Sequence, residues 1–224
     1  MKVINKMKQI FKKENLLSFF NKLKEFIIKN KNIVIMCIPF LLMHVYITIM
    51  TFNVNYNFFN YVVPILFTAS WAILLIGISI CIKNSFGKIF YVIVNLIFAA
   101  LFVTQGVYYS MMSTFFNFNL LESASEGTPY MLEAIVKCNP LIYVGLITIL
   151  VSIAFGVKYY PKKEKWNVKG LGISILISVL LHTITPFFLG PANSELTWSS
   201  WRNARNIYES YNDVKKSIKV SGFF

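Results

Sequence analysis

Charge is scarce in this chain. Of its 224 residues only 14% are Asp, Glu, Lys or Arg, where a soluble domain carries about a quarter. Five stretches hold none at all: Ile33–Phe52, Tyr61–Ile82, Ile89–Tyr109, Leu141–Val157 and Leu171–Leu189. With 56% hydrophobic residues, a soluble fold of this length has no interior large enough to hide so much apolar surface. Cysteine is thin as well. Cys37 and Cys81 fall in apolar runs and Cys138 in a loop, with no CxxC and no neighbouring histidine, which excludes a disulfide framework. The sequence also lacks a P-loop, a GxSxG, an HExxH and any metal-spaced cluster of Cys, His and carboxylates, so no residue takes a catalytic role and no metal is assigned.

What is there is a membrane pattern. Crossing a hydrocarbon core takes about 20 helical residues, and the five uncharged runs meet or approach that length. The fourth is short, but Pro140 opens it and Lys158 can snorkel to extend it. The expected fold class is an all-α membrane protein with five transmembrane helices. It divides into a cytoplasmic amphipathic segment over 1–32, a five-helix domain over 33–190 and a juxtamembrane linker over 191–224.

Lysines orient the bundle. Nine precede the first run, Lys83 and Lys88 lie between the second and third, and five (Lys158, Lys162, Lys163, Lys165 and Lys169) lie between the fourth and fifth. On the other side, 53–60 has none and 110–140 has only Lys137. The positive-inside rule then predicts a plasma-membrane protein with a cytoplasmic N-terminus and an extracellular C-terminus. The formal net charge of +13 is read as membrane topology, not nucleic-acid binding. Within 1–32, Val3, Ile4, Met7, Ile10 and Phe11, then Leu16, Leu17, Phe20, Leu23 and Ile27, follow helical spacing between lysines. This predicts an amphipathic helix lying on anionic lipid rather than a cleaved signal.

Outside, the 110–140 loop is too long for a bare connection. Thr128–Pro129 reads as a helix start, Glu133 favours its first turn, and Asn139–Pro140 ends it. Met111–Leu121 reads as a short interfacial piece. In the tail, Trp201, Ala204, Tyr208, Tyr211 and Ile218 form one helical stripe, and Gly222 marks a stop before two exposed phenylalanines.

Candidate contacts are few. His44 and His182 sit in the first and fifth runs, where a neutral histidine bonding a neighbouring helix is the expected role; Gln105 reads as similar interhelical glue. Glu122 and Glu126 could hold a cation or a head group, or simply form a solvated loop face. Arg202 and Arg205 suit a phosphate head group, and pairing with Glu209 is the equal alternative.

The stretch RNIYESYNDVKKSIKVSGFF supplies the one family likeness. Its Arg205, Ile207, Tyr208, Asn212, Asp213, Lys215, Lys216, Ser217, Gly222 and Phe223 resemble the segment joining membrane part to extracellular enzyme in the lipoteichoic acid synthase family. The loop VYYSMMSTFFNFNLLESAS is similar to that family's stretch after its third span. The resemblance implies a membrane module of a glycerol-phosphate transferase of Gram-positive bacteria that draws on phosphatidylglycerol. Family chemistry uses a sulfatase-like domain with a threonine nucleophile and a divalent metal, typically manganese; neither is among these residues. The chain is therefore expected to be a non-catalytic anchor, whether truncated product or excised domain. Its partners would be phosphatidylglycerol, anionic lipids and a full-length synthase or other cell-wall synthesis proteins. A stand-alone regulator that binds a partner enzyme is the alternative. A small transporter subunit is a further one, disfavoured by the absence of intramembrane charge and of broken helix pairs.

Overall fold

A computed structural model describes residues 21, 24–25, 28–51, 59–117, 127–161, 165–192, 203–210 and 214–224. Most of the expected amphipathic segment over 1–32, the loop residues Glu122 and Glu126, and the start of the tail from Trp198 to Arg202 lie outside them.

Everything regular among the described residues is helical. Five long helices are α1 (Lys31–Thr51), α2 (Phe59–Cys81), α3 (Asn84–Met112), α5 (Leu141–Lys158) and α6 (Val168–Ile184). Between α3 and α5 lies the short α4 (Met131–Lys137), entered through a 3-10 turn at Thr128–Tyr130. A second 3-10 turn, Thr185–Leu189, extends α6, and the tail forms α7 (Ala204–Ser210) and α8 (Val214–Ser221).

All five predicted runs are helices long and apolar enough to cross a membrane. In hydrocarbon every backbone polar group must find its partner within the segment, so uninterrupted helices are the expected solution. Their outward faces carry Ile49, Ile93, Ile147, Leu176 and Phe187, each more than half exposed. A surface this apolar suits lipid and not water, which makes the chain a multi-pass membrane protein.

Two seams organise the bundle, α1 against α5 and α2 against α6, with α3 packed on α1, α2 and α5. Lipid-facing helices gain little from burying apolar groups against each other, so close backbone approach and hydrogen bonds decide which faces meet. Along α2 and α6 the contact residues are small. The Ser70 hydroxyl donates to the Ser178 carbonyl at 2.9 Å and the Ser178 hydroxyl returns a bond to the Ser70 carbonyl at 3.0 Å. One helical repeat further on, Gly77 faces Ser174 with no room for a Cβ. The α1–α5 seam uses Gly145 against Phe102 and Tyr46, with the Thr148 hydroxyl 3.2 Å from the Tyr46 hydroxyl. Met36, Phe40, Met43, Tyr91, Phe102, Ile142 and Ile149 fill the centre.

Several expected boundaries move. The third helix starts at Asn84 instead of Ile89 and continues through Met111 and Met112, which the sequence reading assigned to an interfacial piece. It stops at Ser113, in the left-handed conformation at φ 55°. Gln105 does not bridge helices; it clamps the returning chain, accepting from the Phe116 amide at 2.8 Å and donating to its carbonyl at 3.0 Å. That contact lets Phe115 bury against Tyr109 at a ring distance of 4.9 Å. At α4 the expected Thr128 cap is replaced by a 3-10 turn, with Tyr130 in the capping position. Asn139 accepts a bond from the Leu141 amide at 3.0 Å, so it helps start α5 as well as end α4.

Candidate functional site

The tail is where this structure departs most from the sequence reading. One helical stripe in a juxtamembrane linker was expected; two short helices instead pack onto the bundle. Asn203 begins α7 by accepting from the amides of Arg205 and Asn206, at 3.0 and 3.2 Å. This is the bond an N-cap side chain makes to the free amides of a first turn. Its own amide group donates to the Pro191 carbonyl at 3.2 Å, tying the tail to the chain that leaves the fifth span.

One turn on, Tyr208 is buried against the bundle. Its hydroxyl lies 3.2 Å from His182 Nδ1 and donates to the His182 carbonyl, also at 3.2 Å. Phe67 of α2 closes the cluster edge-on, with ring centroids 5.6 Å from Tyr208 and 5.5 Å from His182. His182 therefore bonds a tail side chain, where a neighbouring span was expected.

Helix α8 then descends between α1, α2 and α3. Lys215 holds its upper end by donating to the Ser113 carbonyl at 3.0 Å. Val214 and Ile218 pack on the central core. Gly222 takes φ 94°, a left-handed stop that a side chain resists, and its amide bonds the Ile218 carbonyl at 2.9 Å. The two phenylalanines are not exposed. Phe224 stacks obliquely between Phe40 and Phe98, at 5.4 and 5.0 Å, and Phe223 meets Phe102 edge-on at 6.4 Å. Phe98 is the midpoint of α3, so the tail reaches about halfway into the bundle.

Electrostatically this region is unusual for what it leaves unmade. His44 Nδ1, Thr68 Oγ1, Asn95 Oδ1, Ser217 Oγ and Ser221 Oγ are buried with no hydrogen-bond partner among the described residues. Helical spacing puts His44 one turn from Phe40, Thr68 one turn from Pro64, and Asn95 one turn from Phe98. Of these, His44 lies directly beside Gly222, and Thr68 shares a face of α2 with Pro64. A buried polar atom left unpaired costs about 1–3 kcal/mol, whereas burying a phenylalanine from water stabilises by about 1.5–3 kcal/mol. The two terms are of similar size here.

Of the four residues singled out for a head group, Glu122, Glu126 and Arg202 lie outside the described residues. Arg205 is described, and its Nε pairs with Glu209 at 2.9 Å while the guanidinium sits 5.3 Å from the Phe187 ring centre. The pairing alternative is thus realised, and a phosphate group would have to compete with it. No group of three or more His, Cys, Asp or Glu able to hold a metal occurs among the described residues. Sequence reasoning named His44 but missed its surroundings. The signal available was Gly-Phe-Phe after an amphipathic stripe, which fits an inserted segment as well as an exposed one. No family model, curated protein or solved structure matches this chain.

Proposed function

We propose that this chain is the membrane module of a lipoteichoic acid synthase-like glycerol-phosphate transferase. In this reading it sits in a Gram-positive plasma membrane with its N-terminus in the cytoplasm. It anchors the transfer chemistry at the outer face and contributes no catalytic residue of its own. Five membrane-length helices and the one-sided lysines agree with that role.

The observation that carries the reading is where the family-like residues fall. Tyr208 bonds His182, Lys215 bonds Ser113, Gly222 abuts His44 and Pro64, and Phe223 meets Phe102. The stretch that resembles a membrane-to-enzyme junction is thus packed, residue by residue, on the bundle. Its contacts at the end of the bundle, Tyr208 to His182 and Lys215 to Ser113, would hold a following domain close to the outer face.

The test is a chimera in which residues 1–224 replace the membrane part of an established lipoteichoic acid synthase. The chimera is expected to restore polymer in a synthase-deficient strain, read by immunoblot, and to release diacylglycerol from phosphatidylglycerol in membranes. A chimera that inserts and is expressed to parental level, yet makes no polymer, would sink the proposal.

A further inference from the structure

We propose that Val214–Phe224 is a displaceable wedge that closes a polar crevice between α1, α2 and α3, and that water fills the crevice when the wedge withdraws. The inference stands independently of any transferase role.

Three observations carry it. First, the polar atoms without a partner lie on both sides of one interface. The wall offers His44 Nδ1 and Thr68 Oγ1, and the wedge offers Ser217 Oγ and Ser221 Oγ. Most buried polar groups in a folded chain find a partner, whereas here His44 lies directly against Gly222 and its Nδ1 and the two wedge hydroxyls stay unpaired. Second, the fit at Gly222 leaves no space to share. A Cβ built there would lie 3.1 Å from the His44 ring and 3.2 Å from Pro64. Water needs both room and two or more polar partners, so wedge and water exclude each other at this point. Third, what holds the wedge is mainly apolar packing, with Val214 and Ile218 on the central core and Val220 on the cluster of Val63 and Phe67. Its tip is gripped by the rings of Phe40, Phe98 and Phe102, and its upper end by the exposed Lys215 bond to Ser113.

The closed state therefore gains ring packing and forgoes hydrogen bonds, and the open state reverses both. Opening would admit water to Thr68, nine residues inside the start of α2, and on to Asn95, whose Oδ1 is buried and unpaired further along α3. The result is a hydrated pocket reaching toward mid-membrane from the face that bears Ser113 and Leu189.

The experiment is thiol accessibility in lipid nanodiscs, where both membrane faces meet the reagent. In a chain with Cys37, Cys81 and Cys138 replaced by Ala, Thr68→Cys is labelled with an anionic, membrane-impermeant methanethiosulfonate. Leu176→Cys on the lipid-facing side of α6 is the control. We expect Thr68→Cys to react slowly in the otherwise intact chain, and at least tenfold faster with F223A and F224A added, while Leu176→Cys stays inert in both. Equal rates with and without the two rings, or a Thr68→Cys as inert as the control throughout, would overturn the proposal. If the cysteine-free chain does not fold, hydrogen–deuterium exchange on the unaltered chain decides instead. Amides of 214–221 should then exchange at least tenfold faster than those in the middle of α2 and α6, and equal protection would refute the wedge.

Discussion

The two ends of this bundle are built by opposite rules. At the lysine-rich end, where α2 turns into α3 and α5 hands over to α6, the buried polar groups interlock. The Tyr160 hydroxyl donates to the Ser79 carbonyl at 2.6 Å, and the Ser79 hydroxyl donates to the Gly87 carbonyl at 2.9 Å. The Asn167 amide donates to the Cys81 carbonyl at 2.9 Å, while the Asn167 side chain caps α6 through the Gly170 amide at 3.0 Å. Burial pushes the Tyr160 phenol above its ordinary pKa, so it remains a neutral donor. At the tail end the groups facing α8 are buried and unpaired. One end is fastened through interlocked bonds; the other has bonds at its rim, Tyr208 to His182 and Lys215 to Ser113, and is filled by rings further in. The difference teaches that stability here is concentrated where two tight turns must be held, and withheld where a segment has been laid into a finished bundle.

The harshest way to break that comparison is at Gly87. A Cβ there would fall inside van der Waals contact of the Ser79 carbonyl oxygen and the Tyr160 hydroxyl together. The first is backbone and cannot swing aside, so G87A must part α2 from α3. Overpacking of this kind costs about 1–3 kcal/mol and occasionally more. We expect a drop of that order in unfolding free energy, measured by detergent titration, whereas G172A, which meets open space within a helix, should cause no loss. If both alanines are equally mild, the interlocked end is not the anchor described.

A paired substitution tests the contrast with smaller effects of opposite sign. Ser79→Ala removes a hydroxyl that is bonded and leaves the Gly87 carbonyl without its donor, for a loss of about 1 kcal/mol. Thr68→Val removes a hydroxyl that has no described partner and keeps the shape of the side chain. Relieving a buried, unpaired polar atom should stabilise by about 1 kcal/mol. The same detergent titration reads both. A loss at Thr68 as large as that at Ser79 would mean that its hydroxyl is bonded after all, and the two ends would no longer differ in kind.

Which parts of this were legible in the sequence follows from what each feature depends on. The five spans were readable because length and absence of charge are properties of single segments, and each predicted run became one helix. The end of α3 was misjudged because it depends on a contact eleven residues away, Gln105 to the Phe116 backbone; Met111 and Met112 look the same in a span as at an interface. The pairing of Arg205 with Glu209 was visible as an i,i+4 spacing. The partners of His182 and His44 were not, since Tyr208 and Gly222 come from a segment whose direction off the fifth span is set by the Asn203–Pro191 contact. Of the tail stripe Tyr208 is buried and Ile218 packs on the core, while Trp201 and Tyr211 lie outside the described residues; the spacing gave no information on whether lipid or protein would cover it.

The smallest expected effect lies outside both ends, on the surface of α4. Glu133 and Lys137 pair across one helical turn, and the bond to Lys137, reinforced by its charge, holds the Glu133 carboxyl below its ordinary pKa. A depressed carboxyl pKa stabilises the folded form above the unfolded carboxylate value of about 4.3 and loses that contribution as pH falls through the folded value. Protection factors for the α4 amides should therefore be flat from neutral pH down to roughly pH 5 and fall only below about 4. Because both side chains are well exposed, added salt should flatten the step, and E133Q should abolish it. A fall already complete by about pH 6 would point to another titrating group, since a carboxyl shifted downward is fully ionised there. The buried tail interface should not follow the salt dependence at all, which separates surface pairing from the ring packing that holds α8.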